Sequence, residues 1–166
     1  MSRLLRTPGD LLPSGENVFR MRAMRESDLR SVIRVEREAY DFPWTEGIFR
    51  DCLRVRYYCR VIENSDGLVG HGVMSIAAGE CHLLNICVRP AYQRRGLGGR
   101  LVVHLLDIAR RRHARTALLE VRRSNLGAYL LYSRLGFNEA GIRRNYYPVR
   151  HGREDAILLA KELLLP

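Results

Sequence analysis

The feature that most constrains this chain is one passage near its middle. A strand-like apolar run, Cys81 to Arg89, is closed by Pro90. After Ala91 and Tyr92 comes Gln93-Arg94-Arg95-Gly96-Leu97-Gly98-Gly99, and then an apolar stripe at helical spacing, Leu101, Leu105 and Ile108 beside Val102, Leu106 and Ala109. A strand that passes through a glycine bend into an amphipathic helix predicts layered α/β structure, because each element must bury one face against a common core. The same bend can hold an anion. Glycines let backbone approach the ligand, and the first helical turn presents N–H groups that have no intrahelical partner. Dipole attraction contributes only about 0.3–1 kcal/mol to an exposed charge, so direct N–H bonds, with Arg94 and Arg95, must supply most of the grip.

Two familiar phosphate loops are excluded at the level of residues. A Walker loop needs Lys and then Ser or Thr after its last glycine, and neither follows here. A dinucleotide fingerprint starting at Gly96 needs a glycine where Leu101 stands. What remains is a Q-x-x-G-x-G loop between a strand and a helix.

Around this passage the periodicities predict the order β-α-α-β-β-β-α-β-α-β-β. Val18 to Met24 alternates as a first strand. A helix over residues 28–40, capped by Ser27, gathers Leu29, Val32, Ile33, Val35 and Ala39 on one face. Phe42-Pro43-Trp44 interrupts it, and Thr45 can cap a second short helix ending near Arg54. Tyr57 to Glu63, Leu68 to Ala78 and Cys81 to Arg89 read as a meander. Ala117 to Val121 is a short buried strand, Asn125 caps a helix stopped by Gly136, and Phe137 to Asn145 and Ala156 to Ala160 finish the pattern. The expected fold is one mixed α/β domain over residues 18–166, with about seven strands in a largely antiparallel sheet and about four helices on both faces. Residues 1–17, with Pro8, Gly9, Pro13 and Gly15, read as a loose N-terminal extension.

Composition narrows the function classes. A 46% hydrophobic content suits a folded core, yet no apolar run reaches the roughly 18 to 20 residues of a membrane span. The N-terminus lacks a signal peptide's apolar segment, so a cytoplasmic protein is expected. Cys52, Cys59, Cys81 and Cys87 form no C-x-x-C pair, and the five histidines have no metal-ligand spacing, so no metal is expected. The net charge of +10 is carried almost wholly by scattered arginines without a compact basic block, and direct nucleic-acid binding is not expected.

The segment Asn85-Ile86-Cys87-Val88-Arg89-Pro90-Ala91-Tyr92-Gln93-Arg94-Arg95-Gly96-Leu97-Gly98 resembles the cofactor motif of the GCN5-related N-acetyltransferase superfamily. Leu119-Glu120-Val121-Arg122, Leu131-Tyr132, Arg143-Arg144-Asn145-Tyr146-Tyr147-Pro148 and Gly152-Arg153-Glu154-Asp155-Ala156 extend the likeness toward its bacterial RimI branch. The resemblance implies acetyl-coenzyme A as donor. It implies that Ile86, Cys87 and Val88 hold the pantetheine arm and thioester through their backbone, that Arg94, Arg95, Gly96, Leu97, Gly98 and Gly99 cradle the pyrophosphate, and that Asn125 contacts the coenzyme. It further implies Glu120 as general base and Tyr132 as general acid, and, as acceptor, the N-terminal alanine of a ribosomal small-subunit protein (number eighteen).

Chemistry bounds these roles. An α-amine with a pKa of about 8 is roughly one-tenth neutral at pH 7. Supplying the free amine is therefore worth about 1.4 kcal/mol, against about 7–11 for positioning two substrates. Glu120 must accordingly be desolvated, act through water, or chiefly orient the ammonium; the plainer alternative is a solvent-facing carboxylate at a strand end. A phenol such as Tyr132 suits protonation of a departing thiolate, though aromatics at helical spacing also serve as core. Phe42 and Trp44 in one loop and Tyr146 and Tyr147 in another would wall a peptide slot, the alternative being hydrophobic plugs. A different amine acceptor, or a non-enzymatic basic module with this fold, are the competing readings. The charge of +10 also opposes encounter with a basic ribosomal protein unless acids such as Asp41, Glu46, Glu139, Glu154 and Asp155 gather near the slot.

Overall fold

The structure, a computed structural model, describes residues 11–14 and 17–164. Residues 1–10 of the expected extension lie outside the described residues, as do 15 and 16. By internal contacts the chain forms two units, residues 1–71 with 87–101 and residues 72–86 with 102–166.

In the first unit β1 (Leu11–Ser14) pairs antiparallel with β2 (Asn17–Ala23), from Leu11↔Arg20 to Ser14↔Asn17. Part of the stretch expected to be loose is thus a strand. Pro13 breaks the sequence pattern, but β1 ends the strand order, and an edge strand tolerates a residue with no N–H to donate. β2 in turn pairs with β3 (Tyr58–Asn64). Two helices, α1 (Leu29–Ala39) and α2 (Glu46–Arg54), follow the predicted spacing, with Leu29, Val32, Ile33 and Val35 of α1 buried. Thr45 caps α2 as expected, its hydroxyl accepting Ile48 N–H at 3.3 Å. Ser27 does not cap α1. A 3₁₀ turn, Glu26–Asp28, precedes the helix, and the Asp28 carboxylate accepts Arg25 N–H at 2.7 Å. Asp28 also takes two bonds from the Arg22 guanidinium, at 2.8 and 2.9 Å.

β4 (Gly67–Ala77), β5 (Glu80–Val88) and α3 (Leu97–Arg111) begin in one unit and end in the other. All six stripe residues of α3 are buried. In the second unit β5 runs parallel to β6 (Thr116–Arg122), from Glu80↔Thr116 to Leu83↔Leu119. β8 (Arg153–Glu162) lies antiparallel between β6 and β7 (Asn138–Pro148), and α4 (Leu126–Arg134) links β6 to β7. Asn125 caps α4 through Ala128 N–H at 3.2 Å, and Gly136 stops it at a φ of 89°.

The sheet order among the described residues is β1-β2-β3-β4-β5-β6-β8-β7. The sheet is mixed, with the seven expected strands as β2 to β8 and β1 as an eighth. Both C-terminal strands outrun their predicted limits. Asn145 adopts a left-handed φ of 50° beside a register shift between Arg143 and Tyr147, which carries β7 through a stretch that reads as a loop. Tyr146, Tyr147 and Pro148 therefore end a strand; they do not form the joining loop.

Candidate active site

The anion loop is built by two left-handed residues, Arg94 (φ 60°) and Gly96 (φ 77°), just before α3. Helical hydrogen bonding starts with Arg100 N–H donating to the Gly96 carbonyl at 3.1 Å, so the N–H groups of Leu97, Gly98 and Gly99 belong to the open first turn. Gln93 fixes the entry, its Nε2 donating to the Val88 carbonyl at 2.9 Å. Tyr92 supports it from below. Phe19 packs edge-on to its ring at 6.0 Å, Asn64 donates to its hydroxyl at 3.3 Å, and the Arg95 guanidinium lies over the ring at 5.2 Å. Arg94 and Arg95 are exposed, and among the described residues neither pairs with a carboxylate. Two unneutralised cations beside open N–H groups suit a pyrophosphate.

Ile86, Cys87 and Val88 end β5, which runs past Leu83↔Leu119, its last register partner on β6. Gly70 of β4 approaches this end so closely that a Cβ on it would sit 2.7 Å from the Cys87 carbonyl oxygen. Cys87 and Val88 are buried, so the backbone is what the strand end can offer a ligand.

In the second unit Glu120, on β6, is held by β7. Arg143 Nε lies 2.7 Å from its Oε1, and the Tyr146 hydroxyl hydrogen-bonds its side chain. The Tyr147 hydroxyl donates to its backbone carbonyl at 3.2 Å. The rings of Tyr146 and Tyr147 meet edge to face at 5.0 Å, and Arg122 stacks over Tyr147 at 4.5 Å. The Glu120 side chain is 19% exposed, so it is neither a solvent-facing carboxylate nor a sealed one. Burial, and then the Glu120 charge, push the Tyr147 phenol up to about 12.

Tyr132 of α4 is buried and packs on Phe137 at 5.9 Å; burial, followed by Tyr147, drives its phenol well above its ordinary value. Asn125, expected to touch the coenzyme, uses its side-chain oxygen as the α4 cap. In the first unit Phe42 is exposed, whereas Trp44 is half-buried on Phe49 at 5.3 Å. Of the candidate acids, Glu46 pairs with Arg50, Glu154 with Arg122 and Asp155 with Arg123 and Arg144. Desolvation raises the Glu154 carboxyl, but hydrogen bonds from Ser124 and Arg122 together hold it below its ordinary value.

The model of the acetyltransferase (GNAT) family matches residues 21–137. The chain belongs to that family. Its donor is acetyl-coenzyme A, and this GNAT chain is an acetyltransferase. The ribosomal protein bS18-alanine N-acetyltransferase of Escherichia coli strain K12 is 42% identical over 138 residues, 83% of this chain and 93% of that protein. The enzyme of the same name from Salmonella typhimurium is 43% identical over 134 residues, 81% and 90% of the two chains. The crystal structure of the Escherichia coli enzyme superposes with a TM-score of 0.83 at 39% identity, covering 89% of this chain and 96% of that one. Ard1 from Thermoplasma volcanium shares the GNAT fold, with a TM-score of 0.80.

Sequence reasoning missed several partners in this GNAT chain. Arg143 on Glu120, and Arg122 on both Glu154 and Tyr147, depend on strand register, which spacing along the chain does not reveal. Glu36 is different. It occupies a position of the α1 apolar stripe, one turn after Val32 and Ile33, and a carboxylate in such a stripe is a legible signal of a buried polar partner. That partner is His71. Among the described residues no helix is long and apolar enough to cross a membrane.

Proposed function

We propose that this chain transfers acetyl from acetyl-coenzyme A to the N-terminal alanine of ribosomal protein bS18, by direct attack of the amine on the thioester. The observation that carries the reading is the convergence on one residue, Glu120, of Tyr146, which bonds its carboxylate, and Tyr147, which bonds its backbone carbonyl, the pair expected to wall the acceptor slot. The names of relatives above 40% identity supply the acceptor.

In this reading Arg94, Arg95 and the N–H groups of Leu97, Gly98 and Gly99 hold the pyrophosphate. The backbone of Ile86, Cys87 and Val88 aligns the pantetheine arm and thioester. Phe42, Trp44, Tyr146 and Tyr147 receive the extended N-terminus. Glu120 takes the place of the acceptor's counter-ion: the ammonium displaces Arg143, loses its proton to the carboxylate directly or through a water, and attacks the carbonyl carbon. The C–S bond then breaks as Tyr132 donates its proton to the thiolate, and the extra proton left on the new amide nitrogen passes through solvent to restore the Tyr132 phenol. Its phenol, held protonated by burial, is in the correct state to donate. Asn125 contributes by fixing the start of α4, which carries Tyr132.

A covalent acetyl-cysteine route is disfavoured by the thiols themselves. Burial pushes Cys59 to about 12 and Cys81 to about 11, and raises Cys52 and Cys87 as well, so none offers a thiolate near neutral pH. A ribosomal substrate assigns the work to the cytoplasm. The test is a comparison of initial rates with acetyl-coenzyme A on peptides beginning Ala-Arg, on the same peptides with a blocked N-terminus, and on free amines. A preference for the blocked peptides' lysines or for the free amines would overturn the acceptor.

A further inference from the structure

Glu36 takes a carboxylate into the interior of the first unit: its side chain is 2% exposed, and that of His71 1%. An uncompensated carboxylate there would be strongly destabilising, and three donors compensate it. The Trp44 backbone N–H donates to Oε1 at 3.1 Å. His71 Nε2 lies 2.8 Å from Oε2. The Cys87 thiol, 3.9 Å from the Val35 carbonyl, also hydrogen-bonds the carboxylate.

The tautomer of His71 follows from its other nitrogen. Nδ1 is buried with no hydrogen-bond partner among the described residues. An N–H stranded there would be a buried orphan donor, which folded proteins avoid more strictly than a bare acceptor. The ring proton therefore sits on Nε2 and points at Glu36. Phe49 packs edge-on to the same imidazole at 5.2 Å and tilted on Trp44 at 5.3 Å, closing the cluster with apolar surface. The carboxylate thus joins four pieces of chain: α1, the Phe42–Trp44 loop, β4 and the end of β5.

We propose that Glu36 is a positioning residue for acyl transfer, anchoring the Phe42–Trp44 acceptor loop through the Trp44 N–H to the same buried cluster that holds the thioester-presenting end of β5. The proposal rests on the reading of that loop as the acceptor wall and of residues 86–88 as the thioester strand. Displacement of an acceptor by about 1 Å can cost roughly 10²-fold in rate, so a loop tip needs such a tether. Glu36, His71 and Cys87 could each also offer a cation one atom, all within 4.8 Å of one another. Both carboxylate oxygens already accept N–H bonds, one from the backbone, and hydrogen bonding accounts for the cluster.

The test uses the full chain with Glu36→Gln, which keeps the shape but turns an NH₂ toward one of the two N–H donors. Its KM for an Ala-Arg peptide should rise about tenfold or more, while its KM for acetyl-coenzyme A stays within about twofold. A peptide KM within about twofold of the parent, or both KM values rising together as in a general structural lesion, overturns the proposal. Phe42→Ala separates the two layers: an unchanged peptide KM there sinks the acceptor reading itself and this proposal with it, whereas a raised one leaves Glu36 to be judged on its own variant. If Glu36→Gln does not fold, amide exchange in the parent protein decides. The Trp44 N–H should be protected well beyond the neighbouring loop amides, and exchange at loop rates contradicts the tether. One equivalent of zinc retained through purification also contradicts it.

Discussion

The Tyr147 hydroxyl donates to the backbone carbonyl of Glu120 at 3.2 Å, and this bond sets where the carboxylate-bearing end of β6 stands relative to the end of β7. Tyr146, the next residue, bonds the Glu120 side chain. One tyrosine thus positions the strand and the other the functional group. Tyr147→Phe should therefore leave the fold intact and lower kcat/KM roughly fivefold, the loss of about 1 kcal/mol for one neutral hydrogen bond. Steady-state kinetics with an Ala-Arg peptide reads it, and an unchanged kcat/KM would remove Tyr147 from the positioning of Glu120.

Tyr132→Phe should reduce kcat by about 10²-fold, the usual range for loss of a general acid, without changing the dissociation constant of acetyl-coenzyme A. Calorimetry and turnover measured on the same preparation check both halves. Turnover equal to the parent's would leave Tyr132 as core packing against Phe137 alone.

The Arg143–Glu120 pair is half open to solvent on the arginine side, and exposed pairs contribute about 0–1 kcal/mol. Arg143→Gln should leave the melting temperature nearly unchanged and lower the peptide KM by up to about fivefold, since the acceptor ammonium no longer competes with the guanidinium. Glu120→Gln should lose activity near pH 7 and regain part of it near pH 9, where an α-amine is mostly neutral. A loss independent of pH would make Glu120 an orienting group.

Asp28 is held below its ordinary value chiefly by the Arg22 hydrogen bonds, which outweigh desolvation, with help from Arg25 N–H. A depressed folded-state pKa stabilises the protein above the unfolded value of about 3.9, and that stabilisation is lost as pH falls through the folded value. Asp28→Asn should cost about 1.5–3 kcal/mol near pH 7 and flatten the stability profile below about pH 4. Urea unfolding at several pH values tests it; parallel profiles for parent and variant would contradict the assignment.

Gly70→Ala puts a Cβ 2.7 Å from the Cys87 carbonyl oxygen, a backbone atom that cannot swing aside. Overpacking of this kind costs about 1–3 kcal/mol. Because the strain falls on the end of β5, acetyl-coenzyme A affinity should fall with the melting temperature. A stable variant with unaltered affinity would separate this strand end from the cofactor.

What the sequence made legible was local. The glycine bend into α3, the Thr45 and Asn125 caps and the α1 stripe depend on residues within one turn of each other. Ser27 misled because a carboxylate one residue on, Asp28, bonds Arg25 N–H and opens a 3₁₀ turn first. Leu11–Ser14 was hidden by Pro13. The extension of β7 past Asn145 needs a left-handed residue and a register shift, neither of which alternation encodes. The Glu36–His71 pair joins positions 35 residues apart, beyond any spacing argument, although the carboxylate in the α1 stripe announced that some partner existed.

The most direct measurement is the location of the product. Unmodified bS18 should be incubated with this protein and acetyl-coenzyme A, and the modified peptide fragmented by mass spectrometry. A single acetyl group on the α-amine of the N-terminal alanine, with every lysine free, is the predicted result. Acetyl on lysine side chains, or no transfer under conditions where coenzyme binding is demonstrated, would contradict the account.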